Sequence, residues 1–349
     1  MSNLKLDYEK LFTLTKELGF LLRSGVTLYS ALQIIRGQNR SRELNIVLDD
    51  FLLKIAEGSA FSACLAVYPK IFSPFYRQLI VVGESKGELE SALKRIELYL
   101  AGQKRLRETV INAVTYPAIL TVLGLLILSG MLLFVFPRFA EIFLEAGIPL
   151  PLPTRSLIFG YKFAVNFYPH IFAVLAGGAA VYTALLSRPG FRLRVHALRL
   201  GYPLLGRLLL TAGLAGFTGT LGALYASGVP LLDALYLSQG ALANAALRRE
   251  LDSVIVSARD GKGMAQPLSR SRIFPPLLAQ MAAVGEESGA LDKVLSDCAE
   301  YYEQETEFLL KRYLSLLEPA ALLIIAVFVM LIAAAVMLPL FRMSAVLRA

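Results

Sequence analysis

Two stretches decide how this chain folds: GFLLRSGVTLYSAL at Gly19–Leu32 and GALYASGVPLLDAL at Gly222–Leu235, which share a pattern at an offset of 203 residues. A second pair follows, FSPFYRQLIVVGESKGELESAL at Phe72–Leu93 and FPPLLAQMAAVGEESGALDKVL at Phe274–Leu295, at an offset of 202. Tyr99 then corresponds to Tyr301, Pro117 to Pro319, Pro137 to Pro339 and Phe139 to Phe341. Self-similarity at a near-constant spacing is the mark of a duplicated unit. Each copy reads as a domain of roughly 100 residues followed by one apolar helix.

Within the first copy, apolar residues recur at three- and four-residue steps, as in Leu11, Leu14, Leu18, Leu21 and Leu22, which is the spacing of one helix face. The pattern predicts helices over 8–23, 27–37, 41–57, 59–67 and 73–85 and a long one from about 88 onward. Residues 88–137 read as one continuous helix, with 289–339 as its duplicate. Ser24-Gly25 and Ser227-Gly228 are stop signals, because glycine accepts the left-handed conformation that closes a helix. Thr27 and Pro230 suit the start of the next helix. No run alternates as a strand would, so the fold class is all-α.

Three stretches are apolar enough to cross a membrane, which takes about 20 residues. Pro117–Pro137 and Pro319–Pro339 carry no charge, and a shorter stretch surrounds His170–Leu186. None has an acidic or basic residue near its centre, which disfavours a pump or ion-coupled carrier. Basic residues crowd one side: Lys104, Arg105 and Arg107 before the first stretch, Arg188, Arg192, Arg194, Arg199 and Arg207 after the second, Lys311 and Arg312 before the third. Positive residues stay in the cytoplasm, and they also suit anionic lipid headgroups. The expected order is a first cytoplasmic helical domain at 1–116, a transmembrane helix at 117–137, an external loop at 138–165 and a second transmembrane helix at 166–187. A second cytoplasmic domain at 188–318, a third transmembrane helix at 319–339 and a short external tail at 340–349 complete it. The unduplicated middle helix has a topological purpose: it returns the chain so that both copies face the cytoplasm.

Composition agrees. Of 349 residues 56% are hydrophobic and 18% charged, against about 45–50% and about 25% in soluble domains. The two cysteines, Cys64 and Cys298, lie far apart without metal-ligand spacing and read as packing residues. With only His170 and His196 present, a histidine-based catalytic or metal centre is not expected. No Ser/His/Asp, HExxH or paired intramembrane aspartates occur, so the chain is not expected to be an enzyme and no cofactor is implied. Residues 1–16 lack the basic start, apolar run and cleavage site of a signal peptide.

One motif recurs in both copies, Gly83-Glu84-Ser85-Lys86-Gly87 and Gly285-Glu286-Glu287-Ser288-Gly289. It reads as a tight connection between helices in which Gly87 or Gly289 permits positive φ or close approach. Glu84 and Glu286 either hold the turn through backbone amides or contact a partner. Acidic residues and the missing lysine–hydroxyl ending exclude a phosphate loop. Pro117 and Pro319 stand at the membrane entries, as hinges or as fixed bends. The copies differ in charge: residues 1–116 hold 16 basic and 12 acidic side chains, residues 208–318 hold 9 and 13. Lys104, Arg105 and Arg107 correspond to Thr306, Glu307 and Leu309. Such faces are solvated, recruit different partners, or bring one domain onto the other. The net charge of +8 does not point to nucleic acid, because the excess sits beside the apolar stretches.

The duplicated domain, the SGVxLxxAL segment, the GExSGxLxxxL turn and the closing EP-span together resemble the inner-membrane platform proteins of type II secretion and type IV pilus biogenesis, over roughly residues 8–343. The resemblance implies two cytoplasmic six-helix domains in tandem, three transmembrane helices, no enzymatic activity and a multi-pass place in the bacterial inner membrane with a cytoplasmic N-terminus. It implies as partners a hexameric assembly ATPase, other inner-membrane assembly components, pilin or pseudopilin subunits, membrane lipids and further copies of the chain, with no direct nucleic-acid contact. Gly83, Glu84, Gly87, Gly285, Glu286 and Gly289 are the motif positions, with Pro117 and Pro319 at the membrane entries. Many such proteins carry a further segment ahead of the first domain, whereas here the first helix is expected almost at once. A membrane transporter or channel subunit is the alternative, which three uncharged spans disfavour.

Overall fold

The computed structural model describes residues 6–131 and 180–346, together with Phe159, His170, Ala173, Val174 and 176–178. Among them every regular element is helical. They fall into two compact units, one within Met1–Glu108 and Leu193–Leu309, the other within Thr109–Arg192 and Leu310–Ala349. The helical domain of each copy belongs to the first unit, and the apolar helix that follows it to the second.

Copy one contains α1 (Tyr8–Arg23), α2 (Leu28–Gln38), α3 (Arg42–Ala56), α4 (Phe61–Ala66), α5 (Pro74–Lys86) and the long α6 (Leu89–Gly130). α1–α5 and the start of α6 match the helices expected from the apolar spacing to within two residues. After α7 (Pro189–Gly201), copy two repeats the order as α8 (Leu205–Ala226), α9 (Leu231–Ser238), α10 (Ala245–Arg259), α11 (Ala265–Arg270), α12 (Pro276–Ser288), α13 (Leu291–Leu314) and α14 (Leu317–Val346). The predicted stops act as such. Gly25 is left-handed at φ +82°, and the Val26 N–H turns back to the Leu21 carbonyl at 3.1 Å. Val229 repeats that bond to Leu224 at 3.2 Å. Thr27 then caps α2 by accepting from the Ser30 N–H at 3.3 Å, which satisfies an otherwise unpaired donor.

The core is one continuous cluster that runs through both copies. In copy one, Leu14 and Leu18 of α1 are buried in the same cluster as Leu32, Leu48, Leu79 and Leu93, while the Phe51 ring lies edge-on to Phe61 at 5.8 Å. Fully burying each such side chain stabilises the fold by about 1.5–3 kcal/mol. Thr15, buried among them, donates to the Leu11 carbonyl at 2.8 Å and sits 3.1 Å from the Tyr76 hydroxyl, so no buried hydroxyl there lacks a partner. In copy two, α8 is long and apolar enough to cross a membrane, yet Leu214, Phe217, Leu221 and Leu224 are buried. It is the core helix of its copy and corresponds to α1.

In the second unit the two copies diverge. Pro117 lies inside α6, which continues beyond it to Gly130. Pro319 is the third residue of α14, and the helix is broken just before it at Ser315 and Leu316. A proline ring crowds the carbonyl four residues back and offers it no N–H; for Pro319 that carbonyl belongs to Ser315. The Leu316 N–H accordingly bonds to Tyr313 three residues back, at 3.3 Å. The single helix expected over 289–339 is therefore two helices. Leu291–Ala334, which includes this break, contains an apolar window long enough to cross a membrane. Gly124 of α6 lies so close to α14 that a Cβ there would come within 2.7 Å of Ile325 Cδ1.

The third expected span lies wholly within α14, and that helix runs on to Val346. Residues 340–346 of the expected external tail are thus helical. The expected first span is described only to residue 131, and of the second 170, 173, 174, 176–178 and 180–186 are described as helical. Residues 132–137 and, apart from Phe159, the expected external loop at 138–165 lie outside the described residues.

Both cysteines pack as the sequence suggests, with Cys64 and Cys298 buried and unpaired. Burial, with Asp297 adding to it, pushes the Cys298 thiol up to about 11, and burial raises Cys64 as well. The thiolate is the reactive form, so at pH 8 neither cysteine of the folded chain should react with iodoacetamide within minutes. Both should be alkylated after denaturation, as read by intact mass.

Candidate functional site

The motif glycines and glutamates form two matching turns. In copy one, α5 ends where Gly87 takes φ +72°, and the Glu88 N–H closes the end onto the Gly83 carbonyl at 2.6 Å. Gly289 does the same for α12 at φ +71°. A side chain at such an angle costs about 1–2 kcal/mol. The other glycine of each turn has a different purpose. A Cβ at Gly83 would lie 2.6 Å from Ala92 Cβ, and one at Gly285 would lie 3.0 Å from Leu291 Cα. Gly83 and Gly285 are the places where the next helix crosses the last turn.

Glu84 and Glu286 reach away from their own turns, onto the start of the short helix before them. Glu84 Oε1 accepts the Phe61 N–H at 2.6 Å, and its Oε2 accepts the Ser62 N–H at 3.1 Å and the Ser62 hydroxyl at 2.5 Å. Glu286 accepts the Met264 N–H at 2.5 Å and the Ala265 N–H at 3.4 Å. Ala60 and Met264, which precede α4 and α11, offer no capping side chain. The glutamate supplies the missing acceptor from more than twenty residues away, where the first N–H groups of a helix favour negative charge. The backbone amides anticipated for these carboxylates are thus those of a neighbouring helix. Within each copy the two glycines and the glutamate come together; Pro117 and Pro319 belong to the other unit.

The turn of copy one also touches copy two. Lys86 donates to the Ser227 carbonyl at 2.8 Å, and the Arg95 guanidinium bonds the Ser227 hydroxyl. A cavity of about 40 Å³ lies between Lys86, Ser91, Arg95 and Ser227, room for water and not for a ligand. Farther along, Arg105 pairs with Glu307 at 2.8 Å. Glu303 lies beside Gly102, where a Cβ would come within 2.9 Å of its Oε1, and burial raises the Glu303 carboxyl despite the pull of Arg105. Sequence reasoning gave Lys86 and Arg95 no role of their own and read Ser227 only as part of a helix stop. Their signal is a mismatch: the counterparts of Lys86 and Arg95 in copy two are Ser288 and Asp297. His196 is likewise structural, its Nδ1 accepting the Ala245 N–H at 2.9 Å where α10 begins.

Comparison with known proteins separates the same two copies. The family described as type II secretion system (T2SS), protein F, matches residues 14–137 and again residues 217–339. The chain is 30% identical over 339 residues to the type II secretion system protein F of Pseudomonas aeruginosa, covering 97% of this chain and 84% of that protein. It is 30% identical to the type IV pilus assembly protein PilC of Myxococcus xanthus, over 87% of this chain and 73% of that one. With the PilC of Thermus thermophilus it shares 30% identity over 94% and 81% of the two chains.

Proposed function

Since the chain belongs to the type II secretion system protein F family, we propose that it is a non-enzymatic platform in the inner membrane of a type II secretion or type IV pilus machine. Both copies face the cytoplasm as six-helix domains and three helices cross the bilayer. The copies receive a hexameric assembly ATPase, and the membrane helices meet pilin or pseudopilin subunits, lipids, other inner-membrane components and further copies of the chain. The observation that carries this reading is the double family match, one for each structural copy. The motif residues Gly83, Glu84, Gly87, Gly285, Glu286 and Gly289 shape the ATPase-facing surface by fixing the turns, and Pro117 and Pro319 set the helix course at the membrane entries.

Removing the gene should leave ATPase and pilin subunits in the cell with no filament or secreted substrate, and the full chain should restore output. Restored output without the chain in the membrane fraction would overturn the reading. Topology supplies a second expectation. In intact spheroplasts a membrane-impermeant maleimide should label Ala146→Cys and leave Ser41→Cys and Ser253→Cys unlabelled, with buried Cys64 and Cys298 giving little background. The inverse pattern would sink the orientation read from the basic flanks.

A further inference from the structure

Arg105 and Glu307 are counterparts in the duplication, at the offset of 202, and they touch. The Arg105 Nε lies 2.8 Å from Glu307 Oε1, and its Nη2 lies 3.3 Å from Oε2. Residues that meet their own counterparts mark a local two-fold relation, the geometry by which identical subunits pair through one patch. Gly102 facing Glu303, one position away from its own counterpart, continues the relation along α6 and α13. At this pair the seam between the copies is thus built like a homodimer contact with the charge reversed on one side. At the contact copy one presents Arg105, whereas α13 presents Glu303 and Glu307; Lys104 turns to Glu9 and Glu108 of its own copy and Glu305 to Arg207. The same geometry between two first copies would bring Arg105 against Arg105. Between two second copies it would bring Glu307, whose side chain is only 17% exposed here, against another Glu307. Like charges at close quarters discriminate strongly between partners.

We propose that this seam is a self-recognition surface that accepts only the unlike copy. Within one chain it locks copy one onto copy two. Between chains, the partner it fits is the opposite copy of a second molecule, entered by exchange and never by like-with-like pairing. Lys86 and Arg95 reinforce this choice, because both donate to Ser227 of copy two and their counterparts Ser288 and Asp297 cannot return the contact in kind.

The experiment uses full-length chains in detergent, carrying two different tags and made in the same cells. Arg105→Glu sets acid against acid at the central pair and Glu307→Arg sets base against base, so neither chain can make that pair internally. Co-expressed, they satisfy both seams by exchange. The mixed pair should co-purify about threefold or more above either variant paired with itself. The single variants should melt below the parent chain, and Arg105→Glu/Glu307→Arg in one chain should recover both the melting temperature and the parent's level of self-pairing. Equal recovery of mixed and self pairs would overturn the proposal, as would a doubly reversed chain that melts like the single variants.

Discussion

Gly83→Ala should destabilise the chain by about 2–3 kcal/mol, the upper part of the range for overpacking a core contact, and should be visible as a lower melting temperature in detergent. The added Cβ meets Ala92 Cβ at 2.6 Å, the Glu88 carbonyl at 3.2 Å and Leu89 Cα at 3.4 Å. Two of these neighbours are backbone, so α6 must move away from α5. Ala92→Gly in the same chain should recover part of the loss by removing the nearest clash. Gly87→Ala provides the contrast. No atom lies within 4 Å of its Cβ, and its cost, about 1–2 kcal/mol, comes from the left-handed φ alone, so Ala92→Gly should not help it. Equal rescue of both variants would show that one cause had been assigned to two different glycines.

Glu84→Ala should cost about 2–3 kcal/mol, since it strips three donors of a charged acceptor at the start of a six-residue helix. Hydrogen exchange over residues 59–68 should accelerate while exchange in α2 stays unchanged. Glu84→Gln, which keeps one carbonyl oxygen, should lose less. Glu286→Ala should also lose less, because its carboxylate holds two N–H groups, one of them at 3.4 Å. If Glu84→Ala leaves melting and exchange untouched yet abolishes filament assembly, the residue acts on a partner and not on α4.

Much of this was readable in the residues. Apolar spacing located the helices of copy one, because each buries one face in the core, as Leu14 and Leu18 do. The helix stops were readable because only glycine accepts their backbone angle. The change of offset from 203 to 202 has a place too. Phe61 and Met264, which occupy equivalent positions, are 203 apart, while Pro74 and Pro276, which begin α5 and α12, are 202 apart. The missing residue therefore belongs to the connection after the short helix. What Glu84 holds was not readable, because the donors lie 22 and 23 residues away and two of the three are backbone N–H groups with no side-chain signature. Nor was the different effect of the two prolines. Both sit in similar apolar surroundings, and local sequence gives no reason why the helix continues through Pro117 and breaks before Pro319. The seam announced itself only as a charge mismatch, and pairing across it required coordinates.

The Arg105–Glu307 contact also sets a clock. Helices of copy one close mainly on their neighbours in sequence, a pattern that folds quickly, whereas this contact waits until 202 more residues have been made. At about 5–20 residues per second the wait is on the order of 10–40 s. During it, several ribosomes on one message hold finished first copies side by side, each with its seam bare. All those seams carry the same basic charge, so neighbouring nascent chains repel where they could otherwise pair. The reversal of charge then keeps a tandem duplication from tangling with its siblings during synthesis, until each chain has made its own acidic half.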